Sequence, residues 1–128
     1  MKVSIIIMKF LIVFTALSGC FSVLFGAWLA HAGQHILELD KARLITAHHY
    51  QVIHTLALVV VVLNYRVKPS RVLMASALCF VVGLLLFSGS LYLKTYTGIA
   101  SFGSFAPFGG VTLAIGWLSL AFLGKEKS

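Results

Sequence analysis

Apolar residues along this chain come in long unbroken blocks separated by short polar stretches. The blocks cover residues 10–30, 47–64 and 72–93. A less regular fourth begins within "GIASFGSFAPFGG" and covers about residues 104–123. A helix needs about 20 apolar residues to cross the hydrocarbon core of a bilayer. Only helices and closed barrels satisfy their backbone polar groups in lipid. Barrel strands are segments of roughly 10 residues that alternate in polarity, and these blocks are too long and too continuous for that. The pattern predicts an all-α integral membrane four-helix bundle forming one transmembrane domain, with no soluble domain or linker.

Composition agrees: 60% of the residues are hydrophobic and 10% charged, against roughly half and a quarter in soluble domains. The formal net charge of +7 changes the picture only through its placement. Lys and Arg sit at the ends of the blocks and form no stripe, which argues against nucleic acid as a partner and fits residues that flank membrane spans. Four spans place both termini and the second loop on one side. That side carries Lys2, Lys9, Arg66, Lys68, Arg71, Lys125 and Lys127, while Lys41, Arg43 and Lys94 lie on the other. The excess of basic residues predicts that both termini face the cytoplasm.

"LSGC" at residues 17–20 has the form of a lipoprotein cleavage site, with Lys2 and Lys9 ahead of it. The apolar block nevertheless continues through "FSVLFGAWLA", and residues 10–30 make ~30 Å of helix, one full crossing. Cys20 is therefore expected inside the first helix, and both it and Cys79, in the third block, read as small buried hydrophobes. Ser18, Ser22, Gly26 and Ala30 recur at every fourth position, as do Ala75, Cys79 and Gly83. Such small residues let helix backbones approach closely in lipid.

Three stretches together carry a family resemblance: "FGAWLAH", "HYQVIHTLAL" and "LFSGSLY…PFGG…GW". They resemble the YgdD-like family of small four-helix inner-membrane proteins of unknown function. The resemblance covers nearly the whole chain and implies a multi-pass protein of the bacterial inner membrane. It also implies that the Ser-Gly pair before Cys20 belongs to a helix. The chain departs from the family pattern at Trp28 and Leu29, and His35, His48 and His49 lie outside it.

The five histidines all fall between residues 31 and 54, the outer part of the bundle in this topology. Tyr50, Gln51 and His54 share one face of the second helix. His54 lies ten residues before Asn64, about 15 Å along the axis and close to mid-bilayer. Ionisable groups at that depth face the bundle interior and are functional candidates. The candidate polar cluster is thus His31, Tyr50, Gln51, His54, Ser88 and Ser90. The simplest role for His54 is a neutral imidazole bonded across helices, with Tyr50, Gln51, Ser88, Ser90 or Tyr92 as partner. His31, His35 and Glu38 have the spacing of a weak metal set, but there is no HExxH and no cysteine partner, and no cofactor is expected. No nucleophile–base constellation or phosphate-binding loop is present.

Pro107 suits the first turn of the fourth helix. Its start is expected near there, with Ser104 or a neighbour as cap and irregular backbone before it; the alternative is a kinked helix from Ser101. Gly83, Gly89, Gly109 and Gly110 are expected at helix-packing positions, Gly109 and Gly110 against the third helix near Ser88–Ser90. The function expected is a structural or interaction component of the membrane, more naturally non-enzymatic. It would contact the lipid bilayer and either a membrane-protein partner or further copies of itself. The alternatives are a small-molecule, lipid or ion-handling protein using the polar cluster, and a histidine-based metalloprotein.

Overall fold

The structure is a computed structural model that describes residues 2–125, with only the backbone of Gln34. It holds four helices long and apolar enough to cross a membrane: α1 (Lys2–His31), α2 (Glu38–Val67), α3 (Arg71–Thr97) and α4 (Ala100–Lys125). No strand occurs among the described residues.

The connections are short. A single 3₁₀ turn, Gly33–His35, joins α1 to α2. The segment before residue 47, which reads as a polar loop, is mostly helix, because α2 begins at Glu38. Glu38 and Asp40 occupy its first turn, where carboxylates oppose the positive end of the helix dipole. Pro69 ends the α2–α3 link, and the Ser70 hydroxyl caps α3 by accepting from the Leu73 N–H at 3.2 Å. Gly98 closes α3 in the left-handed region (φ 72°), which a side chain would disfavour.

Two helices are irregular where they meet. Residues Leu85–Gly89 of α3 form a π-helical turn. In α4, a 3₁₀ stretch, Ala100–Phe105, runs directly into the α-helix Ala106–Ser119. The segment before Pro107 is therefore wound, not irregular. Its backbone groups find partners within it, as in the Phe102 N–H bond to the Ile99 carbonyl. Pro107 stands in the first turn of the α-helical part. Ser104 does not cap that helix; its hydroxyl donates to the Ser101 carbonyl at 2.7 Å.

The interior has three layers. One apolar core, built on Leu11, Leu58, Phe80, Leu84 and Leu113, fills the half nearer the termini. A smaller one of Phe25, Leu29 and Leu44 fills the other end. The buried polar side chains of Ser18, Gln51, His54, Thr55 and Ser88 lie between them, while Ser76 is buried within the first core.

Candidate functional site

Lipid offers no hydrogen-bond partner, so polar side chains at mid-depth must find one in the protein. Gln51 on α2 does so at both ends. Its Nε2 donates to Ser18 Oγ on α1 at 3.0 Å, and its Oε1 accepts from the Tyr92 hydroxyl on α3 at 2.7 Å. Ser18 Oγ also bonds Thr55 Oγ1 at 2.8 Å. The chain Tyr92–Gln51–Ser18–Thr55 thus ties three helices together. One turn further out, His48 Nε2 bonds the Ser22 carbonyl at 2.8 Å, and its ring covers Gly26, where an added Cβ would lie 3.0 Å away.

His54 is buried on a different face of α2. Its Nδ1 bonds the Tyr50 carbonyl at 2.7 Å, and its Nε2 receives the Trp117 indole N–H of α4 at 2.9 Å. An indole nitrogen only donates, so Nε2 carries the lone pair and Nδ1 the proton. The ring is the neutral Nδ1–H tautomer, held edge-on between Phe80 and Trp117. Both nitrogens are used.

The expected cluster therefore divides. Tyr50 gives its carbonyl to His54 and packs its ring at a tilt against Phe87, centroids 4.2 Å apart. Ser88 donates to the Ala47 carbonyl of α2 at 2.7 Å. Ser90, just past the π-helical turn, donates to the Phe87 carbonyl at 2.9 Å. His31 stands exposed at the end of α1, away from His54, and His35 and Glu38 are exposed as well. Among the described residues no three His, Cys, Asp or Glu side chains converge.

Trp117 is the member that sequence reading passed over. An indole N–H in a spanning helix needs an acceptor, and that requirement was the available signal. Thr55 was missed too. Ser18 and Ser22 are more than packing positions: the Ser18 hydroxyl bonds Thr55 Oγ1, and the Ser22 hydroxyl donates to the Ser18 carbonyl.

The glycines make the α3–α4 seam. A Cβ on Gly109 would lie 2.3 Å from the Phe87 backbone nitrogen, and one on Gly83 would lie 2.6 Å from Leu113. Gly116, not singled out from sequence, meets the Phe80 ring, and its carbonyl accepts from Ser76 at 2.9 Å. Gly109 meets α3 at Leu86–Phe87, slightly before the expected Ser88–Ser90. Gly110 faces only the Phe87 ring at 3.8 Å, and Gly89 meets only its own helix.

Between α1 and α3 lies an open cleft of about 350 Å³, with Gln51, Ser18, Ser88 and Tyr92 among its lining and Phe14, Leu17 and Phe21 at one wall.

Comparison with known proteins fits this architecture. The family described as "Protein of unknown function (DUF423)" matches residues 25–110, from the end of α1 through α2 and α3 into α4. A UPF0382 membrane protein of Haemophilus influenzae is 40% identical over 114 residues, 88% of this chain and 90% of the relative. One from Staphylococcus aureus is 36% identical over 118 residues, 88% of this chain and 93% of the relative. The UPF0382 inner membrane protein YgdD of Escherichia coli is 30% identical over 110 residues, 85% of this chain and 84% of the relative. No solved structure matches the chain. With four spans, matching relatives over most of its length and the motifs that point the same way, the chain belongs to the DUF423 family of small multi-pass inner-membrane proteins.

Proposed function

We propose that the chain is a non-catalytic component of the inner membrane, a compact helical bundle that presents a fixed lipid-facing surface to a membrane-protein partner or to a second copy. One observation carries this reading. Among the described residues every buried side-chain nitrogen and oxygen has a partner inside the protein, and His54 spends both ring nitrogens on Tyr50 and Trp117. Groups used this way hold helices in place, and a catalytic base would need a free, aimed position. The seven basic residues on the terminal side against three on the other support an orientation with both termini in the cytoplasm.

Photo-crosslinking in intact membranes from the lipid-facing α1 residue Val23 tests the reading. A single adduct of fixed mass, either another protein or the same chain, is the expected result. No protein adduct, together with a metal or small organic molecule bound in fixed ratio to the purified protein, would overturn it. The α1–α3 cleft favours a second reading, in which a small lipophile with a carbonyl or hydroxyl group sits against Gln51 and Tyr92. Loss of such a ligand in Gln51→Leu would support it.

A further inference from the structure

Where α1 begins, α2 ends and α3 begins, the helices enclose a cleft of about 470 Å³. Its outer wall is polar, with Ser4, Tyr65 and Arg71. Its inner wall is apolar, with Ile7, Met74 and Leu78. Arg71 and Leu78 are separated by two helical turns, about 10 Å along α3, so the cleft runs from the helix ends into hydrocarbon depth. Arg71 is exposed, and the one ion pair among the described residues, Arg43–Asp40, is at the other end of the bundle. The described acidic residues, Glu38 and Asp40, both belong to the first turn of α2 at that far end. Arg66 and Lys68 add to the positive charge around the cleft.

We propose that this cleft binds one anionic phospholipid, with its phosphate on the Arg71 guanidinium and an acyl chain along Ile7, Met74 and Leu78. A guanidinium matches a phosphate in shape and charge, and basic pockets between spanning helices suit anionic headgroups. A free phosphate would leave the apolar wall unmatched, and a zwitterionic lipid would bring a cation toward Arg71. The α1–α3 cleft has no cation in its lining, which sets this site apart. The site is independent of whether the bundle serves as a scaffold.

The test uses the full chain in vesicles of equal phosphatidylglycerol and phosphatidylcholine, extracted in mild detergent and weighed by native mass spectrometry. The wild type is expected to retain one phosphatidylglycerol per chain in preference to phosphatidylcholine. Arg71→Ala lowers that preference about fivefold, the effect of one basic side chain at headgroup level, whereas Arg66→Ala, outside the cleft lining, changes it less than about twofold. Ala75→Trp, which fills the apolar wall, displaces both lipids. Arg71→Lys, checked for helicity by circular dichroism, keeps part of the preference and separates charge from misfolding. Equal losses in Arg71→Ala and Arg66→Ala would overturn the site in favour of diffuse attraction. Displacement of the lipid by inorganic phosphate would overturn it in favour of a free-phosphate site, and a wild type without retained phosphatidylglycerol would end it outright.

Discussion

Gly109 and Gly110 are neighbours on α4, yet a methyl group on each meets a different environment. On Gly109 it would fall 2.3 Å from the Phe87 nitrogen, 2.7 Å from the Leu86 carbonyl carbon and 2.8 Å from the Phe87 α-carbon. All three are backbone atoms of α3, and none can swing aside. Ordinary contact requires α3 and α4 to part by about 1 Å, a gap that forfeits a quarter to a half of the dispersion energy along the seam. The losses include the seat of Leu113 over Gly83 and of Phe80 over Gly116. Overpacking of this kind costs about 1–3 kcal/mol. Replacing glycine by alanine within a helix returns about 1 kcal/mol, and it does so equally at both positions. On Gly110 the methyl would meet only the Phe87 ring at 3.8 Å, an ordinary contact. Gly109→Ala is therefore expected to be less stable than Gly110→Ala by about 1–3 kcal/mol, with Gly110→Ala at or above wild type. Equilibrium unfolding by rising SDS mole fraction in mild detergent, followed by circular dichroism, gives both values. Equal stabilities for the two variants would refute the close backbone approach at Leu86–Phe87.

Three further outcomes follow from the polar layer. In ¹⁵N NMR, His54 should show a protonated Nδ1 and an unprotonated Nε2, and Trp117→Phe should shift the Nε2 resonance and cost about 0.6–1.7 kcal/mol. An unchanged Nε2 resonance would remove the His54–Trp117 bond from the account. A double-mutant cycle of Gln51→Leu and Tyr92→Phe should give a coupling of about 0.5–1.5 kcal/mol, and simple additivity would show that the two side chains do not touch. Cys20 faces outward on α1 and Cys79 is half-buried, so neither is the fully buried hydrophobe expected; after unfolding in SDS, Cys20 should alkylate as a free thiol on a chain that retains residues 1–19, because cleavage before it would remove buried Leu11 and the Ser18 bond to Thr55. A diacylated mass starting at Cys20 would contradict this.

The spans were legible because hydropathy over about 20 residues is a local property and lipid leaves the backbone few alternatives. Gly83 and Gly109 were legible for a related reason, since a glycine in a spanning helix marks where another backbone comes close. The π-helical turn at Leu85–Gly89 was not: it lies where Gly109 of α4 meets Leu86 and Phe87, and that contact joins residues more than 20 apart. The same distance hid the His54 partner. Ser88, Ser90 and Tyr92 lie nearer in sequence and were reasonable partners, but the His54 face of α2 turns toward α4 and reaches Trp117, 63 residues away. The grouping of His31 with His54 failed on depth, since His31 ends α1 and stays exposed.

Lipid also explains why the bundle joins its helices in two ways. Apolar side chains gain little by leaving hydrocarbon for protein, so association needs either close backbone contact or hydrogen bonds. The α3–α4 seam uses contact, with Gly83, Gly109 and Gly116 each accepting a neighbour where a Cβ would clash. The α1–α2 seam uses bonds: Ser18 to Gln51 and Thr55, and Ser22 to His48. In each seam one helix stays mostly outward: 17% of the apolar window of α1 is buried against 39% for α2, and 17% of that of α4 against 44% for α3. In the bonded seam, α1 thus offers most of its length outward while a few polar bonds fix its rotation. A helix held this way keeps one set of side chains, Val23 and Leu24 among them, at a constant angle toward whatever lies beside it in the membrane. Scaffolding requires that property, and it can be lost without unfolding: Ser18→Ala with Ser22→Ala removes the Ser18 side-chain bonds to Gln51 and Thr55 and leaves the α3–α4 seam intact. That variant is expected to stay helical while crosslinking from Val23 loses its single product, and retention of that product would show that the Ser18 side-chain bonds do not set the orientation of α1, leaving the His48 bond to the Ser22 carbonyl and apolar packing to do so.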